Sequence, residues 1–325
     1  MNQIWKNFSI LILGVGSIGR RHARVLRKLG ISDLRICDIN NENLSLCLSE
    51  GPISKTYKNF SSALDDNPDV VWVCTPPGLH ISQTVKALEH GCHVFCEKPL
   101  SKSIKGTELL KKTLLKTDKQ FMVGFCFRFH AGMMAAKQII NQGKIGTFYS
   151  GIFQMAENIS VVRPDYQSLF TLHEGGVFDL AHEIDLACWF AESPVVEHQI
   201  MTGIVSELGF SVPDIANINL RFKNNIICNI HLNYFSQPRM RITMLMGSKG
   251  TIQVKFDKWE SCEISTYTED TNSWEVKKIP TERDNMFIAE DKAFLQAIAG
   301  QSSVTIPFEE AIKSLQIVSQ GLGYK

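Results

Sequence analysis

The chain has 325 residues, with 34 Lys and Arg against 33 Asp and Glu for a net charge of +1; this leaves no basic stripe for a phosphate backbone and excludes a nucleic-acid binder. Hydrophobic residues at 44% and charged residues at 21% exclude disordered and fibrous classes, and at about 150 residues per domain the length predicts two domains. The longest apolar run near the start, 10–13, falls far short of the ~18 residues of a membrane span, and nine cysteines without a CxxC pair read as reduced thiols of a cytoplasmic protein.

In chain order, short β-branched runs at 8–13, 34–38, 70–74, 93–97 and 120–125 read as strands. Helical patterns at 18–29, 43–50, 81–90 and 104–117 lie between or beside them, three of them stopped by Gly30, Gly51 and Gly91. Strands apolar on both faces that alternate with helices predict an α/β, doubly wound parallel sheet of the Rossmann type. Beyond residue 124 the pattern changes. Helices are expected at 133–141 and 176–191, then strands at 215–222, 226–235, 241–246 and 251–256 separated by short turns, then helices at 287–299 and 308–320. Adjacent strands with short turns predict a largely antiparallel open sheet in a second α/β domain. The predicted division is a dinucleotide-binding domain at 1–124 and a substrate-binding and oligomerisation domain at 125–325. Its last helix is free to pack back on the first, and a ligand cleft is expected between the two.

Gly14-Val15-Gly16-Ser17-Ile18-Gly19 follows the first strand and opens the first helix. Gly14 suits a tight turn, Gly16 lets a pyrophosphate approach, and Gly19 lets the helix pack on the strand. The first helical residues, Ser17 and Ile18, then offer backbone N–H groups to the anion. Asp38 ends the second strand 19 residues past Gly19, where a carboxylate accepts hydrogen bonds from a ribose diol and repels a 2′-phosphate. NAD is therefore favoured over NADP. Arg20, Arg21, Arg24, Arg27 and Lys28 read as a solvated helix face opposite a buried stripe of His22, Val25, Leu26 and Leu29.

Ligands of an open parallel sheet lie off the carboxyl ends of its strands. Those ends carry Asp38, Thr75-Pro76-Pro77, Glu97-Lys98-Pro99 and Arg128 in addition to the glycine loop. The set Gly14–Gly19, Thr75-Pro76, His80 and Glu97-Lys98-Pro99-Leu100, followed by Gly124-Phe125 to Arg128-Phe129-His130, Gly175-Gly176 with Asp179, His182 and Asp185, and the turn Gly247-Ser248-Lys249-Gly250-Thr251, resembles the Gfo/Idh/MocA family of glucose–fructose oxidoreductase and inositol dehydrogenase type enzymes. The resemblance implies a Rossmann domain, a C-terminal open-sheet domain, NAD(P) as hydride carrier, and a homodimer or homotetramer. It also implies Gly14, Gly16, Ser17, Ile18, Gly19, Asp38, Thr75, Pro76, His80 and Glu97 at the cofactor, and Lys98, Arg128, Tyr166, Asp179 and His182 at the substrate. Cys126 stands where the family usually has Asn, and Asp179 lies three residues before His182 where four is usual.

Read as one helix, 176–191 puts Asp179, His182 and Asp185 on a single ridge. His182-Glu183 begins like a zinc-protease helix, but the second ligand position is Leu186. Nothing in the spacing of His173, Glu174 and His231 asks for a metal. The expected chemistry is oxidation of a secondary alcohol of a sugar, polyol or nucleotide-linked sugar, with Lys98, His182 and Asp179 as the catalytic set. Histidine, with an unperturbed pKa of about 6.5, suits the base that removes the hydroxyl proton. Lys98 orients the hydroxyl and stabilises charge on its oxygen, the order in which Lys98 and His182 take the proton stays open, and Asp179 or Asp185 orients the imidazole or binds substrate hydroxyls. Arg163 and Tyr166, in the connection 158–170, are candidates for the substrate cleft or for an oligomer contact. The alternatives are a redox-neutral, NAD-using sugar enzyme of the glycosidase type, an imine or biliverdin-type reductase, and a non-catalytic dinucleotide sensor. A sheet with no helix over its outer face predicts self-association.

Overall fold

The computed structural model describes residues 4–163, 166, 175–256 and 258–323. The chain falls into two compact units, Met1–Cys126 with Asp284–Ile312, and Phe127–Arg283 with Lys313–Lys325. In the first, strands β1 (Ser9–Leu13), β2 (Asp33–Cys37), β3 (Lys55–Tyr57), β4 (Val70–Val73), β5 (His93–Glu97) and β6 (Phe121–Gly124) form one sheet in the order β3-β2-β1-β4-β5-β6. Every pairing in it is parallel. The expected doubly wound sheet is present. All residues of β1 and β4 are buried, as a sheet covered on both faces requires.

Helices Ser17–Lys28, Asn41–Ser49, His80–Glu89 and Thr107–Leu114 match the expected helical stretches within a few residues. β3 and the short helix Phe60–Leu64 were not anticipated: β3 is three residues long, with two of them exposed, too short to show a period. The Arg283–Ile298 helix supplies Phe294, which meets Trp72 edge-on at 5.5 Å, while Trp72 stacks on Phe95 at 5.4 Å. A segment from near the end of the sequence thus completes the core of the first unit. Its residue Asp291 is fully buried.

The second unit contains β7 (Phe148–Asn158), β8 (Val195–Gly203), β9 (Ile215–Phe222), β10 (Ile227–Asn233), β11 (Phe235–Gly247), β12 (Gly250–Lys255), β13 (Ser261–Thr268) and β14 (Ser273–Pro280). Their order is β14-β13-β12-β11-β7-β10-β9-β8. Among the described residues only β7 with β10 pairs in parallel; the other pairings are antiparallel. In β9, Ala216, Ile218, Leu220 and Phe222 point inward and Asn217, Asn219 and Arg221 outward, the alternation of a sheet with one covered face. The helix Ala131–Asn141 packs against β12 and β13, and the helix His182–Ala191 against β7 and β10. The edges β8 and β14 are mostly exposed, and β14 carries Lys277 and Lys278, charges that discourage a further strand from pairing there.

The expected helix 176–191 is two elements. A 3-10 turn, Gly176–Leu180, precedes an α-helix that begins at His182. Asp179 therefore does not share a helical ridge with His182 and Asp185. Over so short a stretch, periods of 3.0 and 3.6 residues place apolar positions almost alike, and the sequence pattern runs through the break.

Candidate functional site

In the first unit the glycine loop joins β1 to the Ser17–Lys28 helix. Gly14 has φ +86°, and a Cβ there would lie 2.9 Å from the Cys74 backbone; a Cβ on Gly19 would collide with the Gly14 carbonyl oxygen. Both positions need glycine for close packing of loop, helix and β4. A Cβ on Gly16 would meet nothing within 4 Å. Gly16 is also the helix N-cap, and among the described residues no side chain caps the N–H groups of that first turn. The site thus offers space and free donors where a pyrophosphate needs them, and the residues fit a dinucleotide.

Asp38 follows β2 and is held from three directions. Its Oδ2 accepts from the Val15 N–H at 2.8 Å and from Asn43 Nδ2 at 3.1 Å, and its Oδ1 from the Asn40 N–H at 2.8 Å. These bonds fix the carboxylate beside the glycine loop, and none of the three donors carries a charge. The arginines of the first helix are tied elsewhere. Arg24 pairs with Glu50 at 2.8 Å, Arg27 reaches the Pro52, Gly51 and Cys47 carbonyls, and Arg21 lies 3.4 Å from Asp284. They bind neighbouring elements of the unit.

His80 is buried, with Nε2 2.6 Å from the Thr75 carbonyl and Nδ1 2.8 Å from the Pro99 carbonyl. It bridges the loops after β4 and β5. Burial lowers its pKa against the pull of the two carbonyls. The Thr75 hydroxyl donates to Gln83 Oε1 at 2.5 Å, and Pro76 leads into the 3-10 turn Pro77–Leu79. Glu97, the last residue of β5, is 6% exposed, and both carboxylate oxygens are engaged. Oε1 lies 2.9 Å from His22 Nε2, and Oε2 accepts from the Lys98 N–H at 3.0 Å. The first unit therefore gathers the glycine loop, Asp38, Thr75, His80, Glu97 and Lys98 at the carboxyl ends of its strands.

In the second unit Arg128 is 3% exposed and forms a two-pronged pair with Asp185, Nε to Oδ2 at 2.8 Å and Nη2 to Oδ1 at 2.7 Å. His182 begins its helix, with its ring edge-on to Phe127 at 4.6 Å. The Arg241 guanidinium lies 3.4 Å from the centre of the same Phe127 ring and bonds Glu183, which is buried. Burial raises the Glu183 pKa and Arg241 pulls it back. His130 stacks on Phe256 at 4.4 Å and accepts from the Gly132 N–H; burial first, then Arg241, lowers its pKa to about 4, which suits a neutral acceptor. Asp179 sits half-buried on the 3-10 turn. The Tyr166 hydroxyl donates to the Leu208 carbonyl at 3.0 Å and its ring meets Phe210. His231 bonds Asn217, while His173 and Glu174 lie outside the described residues.

Four engaged groups escaped the sequence reading: Asp291, Glu183, Arg241, and His22 in its role as an ion-pair partner. The available signal was a histidine inside an otherwise apolar helix stripe, since a buried imidazole requires polar partners. All nine cysteines are buried and none forms a disulfide, and among the described residues no helix is long and apolar enough to cross a membrane.

The sequence matches the description "Oxidoreductase family, NAD-binding Rossmann fold" over residues 8–125 and "GFO/IDH/MocA C-terminal domain" over residues 133–253. It is 25% identical over 252 residues to the inositol 2-dehydrogenase/D-chiro-inositol 3-dehydrogenase of Lacticaseibacillus casei, covering 75% of this chain and 71% of that protein. The fold is similar to a levoglucosan dehydrogenase solved with NADH and L-sorbose, at TM-score 0.85 and 18% identity over 97% of this chain and 95% of the other. It is similar also to the WlbA dehydrogenase of Bordetella pertussis solved with NADH and UDP-GlcNAcA, at TM-score 0.79 and 20% identity over 98% and 96%.

Proposed function

We propose, because the chain belongs to the Gfo/Idh/MocA oxidoreductase family, that it is an NAD-dependent dehydrogenase of a sugar, an inositol-like polyol or a sugar nucleotide. The observation that carries this reading is the cluster at the strand ends of the first unit. Gly16 leaves room under uncapped helix amides, Asp38 is aimed by three neutral donors, and Lys98 leaves β5 with its N–H held by Glu97. The relatives include an inositol dehydrogenase, a levoglucosan dehydrogenase solved with L-sorbose and a dehydrogenase solved with UDP-GlcNAcA, which supports that substrate range.

NAD, when bound, supplies the hydride acceptor. The glycine loop and the first-turn N–H groups would hold the pyrophosphate, and Asp38 would accept from the adenosine ribose hydroxyls and repel a 2′-phosphate. The Lys98 ammonium donates to the substrate oxygen and stabilises charge growing there, and His182 receives the hydroxyl proton. In this reading Arg128 with Asp185 shapes the wall behind His182, and Asp179 and Tyr166 contact substrate hydroxyls. We assign substrate binding and self-association to the second unit, in a cytoplasmic homodimer or homotetramer.

A panel of inositols, free sugars and UDP-sugars with NAD, followed by NADH absorbance, tests the reading. Lys98→Met and His182→Ala should each lose ~100-fold or more in turnover while still binding NAD. Full turnover in either variant removes that residue from the mechanism. No NADH from any substrate of the panel removes the dehydrogenase itself.

A further inference from the structure

The most heavily engaged buried group outside the assigned chemistry is His22, on the helix that follows the glycine loop. Its side chain has no solvent exposure. Nδ1 lies 2.9 Å from Asp291 Oδ1 and 3.0 Å from Oδ2, and Nε2 lies 2.9 Å from Glu97 Oε1. Burial raises the Asp291 pKa and His22 pulls it back; with both carboxylates ionised they only accept hydrogen bonds, and the ring between them donates from both nitrogens as an imidazolium. Phe95 and Phe287 meet the ring edge-on at 5.2 and 5.8 Å.

We infer that His22 is a positioning residue for Lys98, acting through Glu97. The contacts run in one line across three segments distant in sequence: Asp291 anchors His22, His22 holds one oxygen of Glu97, and the other oxygen accepts the Lys98 N–H at 3.0 Å. The carboxylate can serve both partners because each takes a different oxygen. Fixing that N–H fixes the backbone from which the Lys98 side chain departs at the carboxyl end of β5. The same histidine belongs to the Ser17–Lys28 helix, whose amino end is the proposed pyrophosphate site. One buried cation thereby sets the spacing between the cofactor helix and the Lys98 loop. Burial opposes its charge, but Asp291 and then Glu97 outweigh burial and raise the pKa to about 10, so the cation persists at working pH. A group held this way governs the geometry of its neighbour, where a displacement of about 1 Å costs on the order of a hundredfold in rate.

The inference deepens the proposed role of Lys98 and rests on it, so its test reads Lys98 directly. Lysines of the full chain are reductively dimethylated with ¹³C, and the Lys98 resonance is assigned by its loss in Lys98→Met. In His22→Gln, which keeps one donor and loses the charge, that resonance should shift by more than its linewidth, while resonances of distant lysines stay and NADH affinity changes less than about threefold. Asp291→Asn, which leaves the imidazole in place, should give a smaller shift of the same sign. An unmoved Lys98 resonance in folded His22→Gln overturns the inference. A ¹⁵N-imidazole spectrum of the unmodified protein at pH 8 supplies an arm that needs no variant. Two protonated nitrogens on His22 support the arrangement and a single one overturns it. Full turnover in Lys98→Met would sink the proposed role of Lys98 while leaving these spectra unchanged, so the two failures are told apart.

Discussion

Each compact unit buries an ion pair beside a residue proposed for the chemistry, and the two use different cations. In the first, His22 lies between Asp291 and Glu97 and is charged because two carboxylates outweigh its burial. In the second, Arg128 grips Asp185 three residues beyond His182, and Arg241 grips Glu183 one residue beyond it. A guanidinium stays protonated at any pH a protein survives and matches a carboxylate with two parallel bonds. The arginine clusters are therefore permanent, whereas the histidine cluster depends on its surroundings. The contrast teaches that similar burial can give a fixed brace in one place and a titratable one in another.

The largest expected effect comes from breaking a permanent brace. Arg128→Leu leaves the Asp185 carboxylate, 1% exposed, without the guanidinium that pairs it. Stability measured by urea unfolding should fall by about 3–5 kcal/mol, because an uncompensated buried charge keeps its desolvation cost. Replacing both partners by leucine should recover much of that loss. A loss under about 1 kcal/mol in the single variant would show that the pair is not a brace, and the comparison would fail on that side.

The titratable brace makes the second effect one of pH. His22 has an ordinary pKa of 6.5, raised to about 10 in the fold, so the folded state holds the proton more tightly. Its contribution is fully present below pH 6.5 and is lost as pH rises through about 10. Between pH 7 and 9 the stability of the protein should drop by about 2 kcal/mol more than that of His22→Gln. The raised cysteines, such as Cys37 and Cys92 at about 11, titrate in both proteins and cancel in the difference. Parallel profiles for the two proteins would mean that the imidazole is not charged at the start.

The two units were unequally legible in the sequence, for reasons of range. The parallel sheet declares itself locally: β1, β4 and β5 are short apolar runs, and helices between them stop at glycines. The glycine loop and Asp38 lie within 25 residues of each other, and one hydrogen bond from the Val15 N–H joins them. The eight-stranded sheet depends on pairings that no local pattern specifies. β7 was missed although it is central, because it pairs with β10 and β11 some 80 residues on, and its Ser150, Gly151 and Gln154 dilute the β-forming signal. Lys98 stood out by its position at a strand end. Glu97 read as a cofactor ligand, while its partner His22 lies 75 residues away and Asp291 a further 194, so the sequence held nothing to connect them. Arg128 and Asp185 are 57 residues apart, and each looked like a substrate contact.

A third experiment asks how a carboxylate behaves when only neutral groups hold it. Asp38 accepts from two backbone amides and one side-chain amide, so its charge is not cancelled by a partner as that of Asp185 is. That uncancelled charge is what opposes a 2′-phosphate. Wild-type protein should prefer NAD over NADP, and Asp38→Ala should narrow the ratio of kcat/KM by at least about tenfold, corresponding to ~1.4 kcal/mol. Unchanged discrimination in Asp38→Ala would assign cofactor choice to another residue.

The smallest effect marks the other limit of the comparison, an ion pair that burial does not strengthen. Arg24 and Glu50 meet at 2.8 Å with side chains 37% and 28% exposed. Water and salt screen such a pair, and ordering two long side chains costs entropy that offsets the Coulomb gain. Arg24→Ala should lower the urea-unfolding free energy by less than about 1 kcal/mol, and raising the salt concentration should shrink even that difference. Arg128→Leu should show no such salt dependence, because its partner has no solvent around it. If Arg24→Ala cost as much as Arg128→Leu, geometry alone would set the strength of these pairs, and the distinction drawn here between buried and exposed braces would lose its basis.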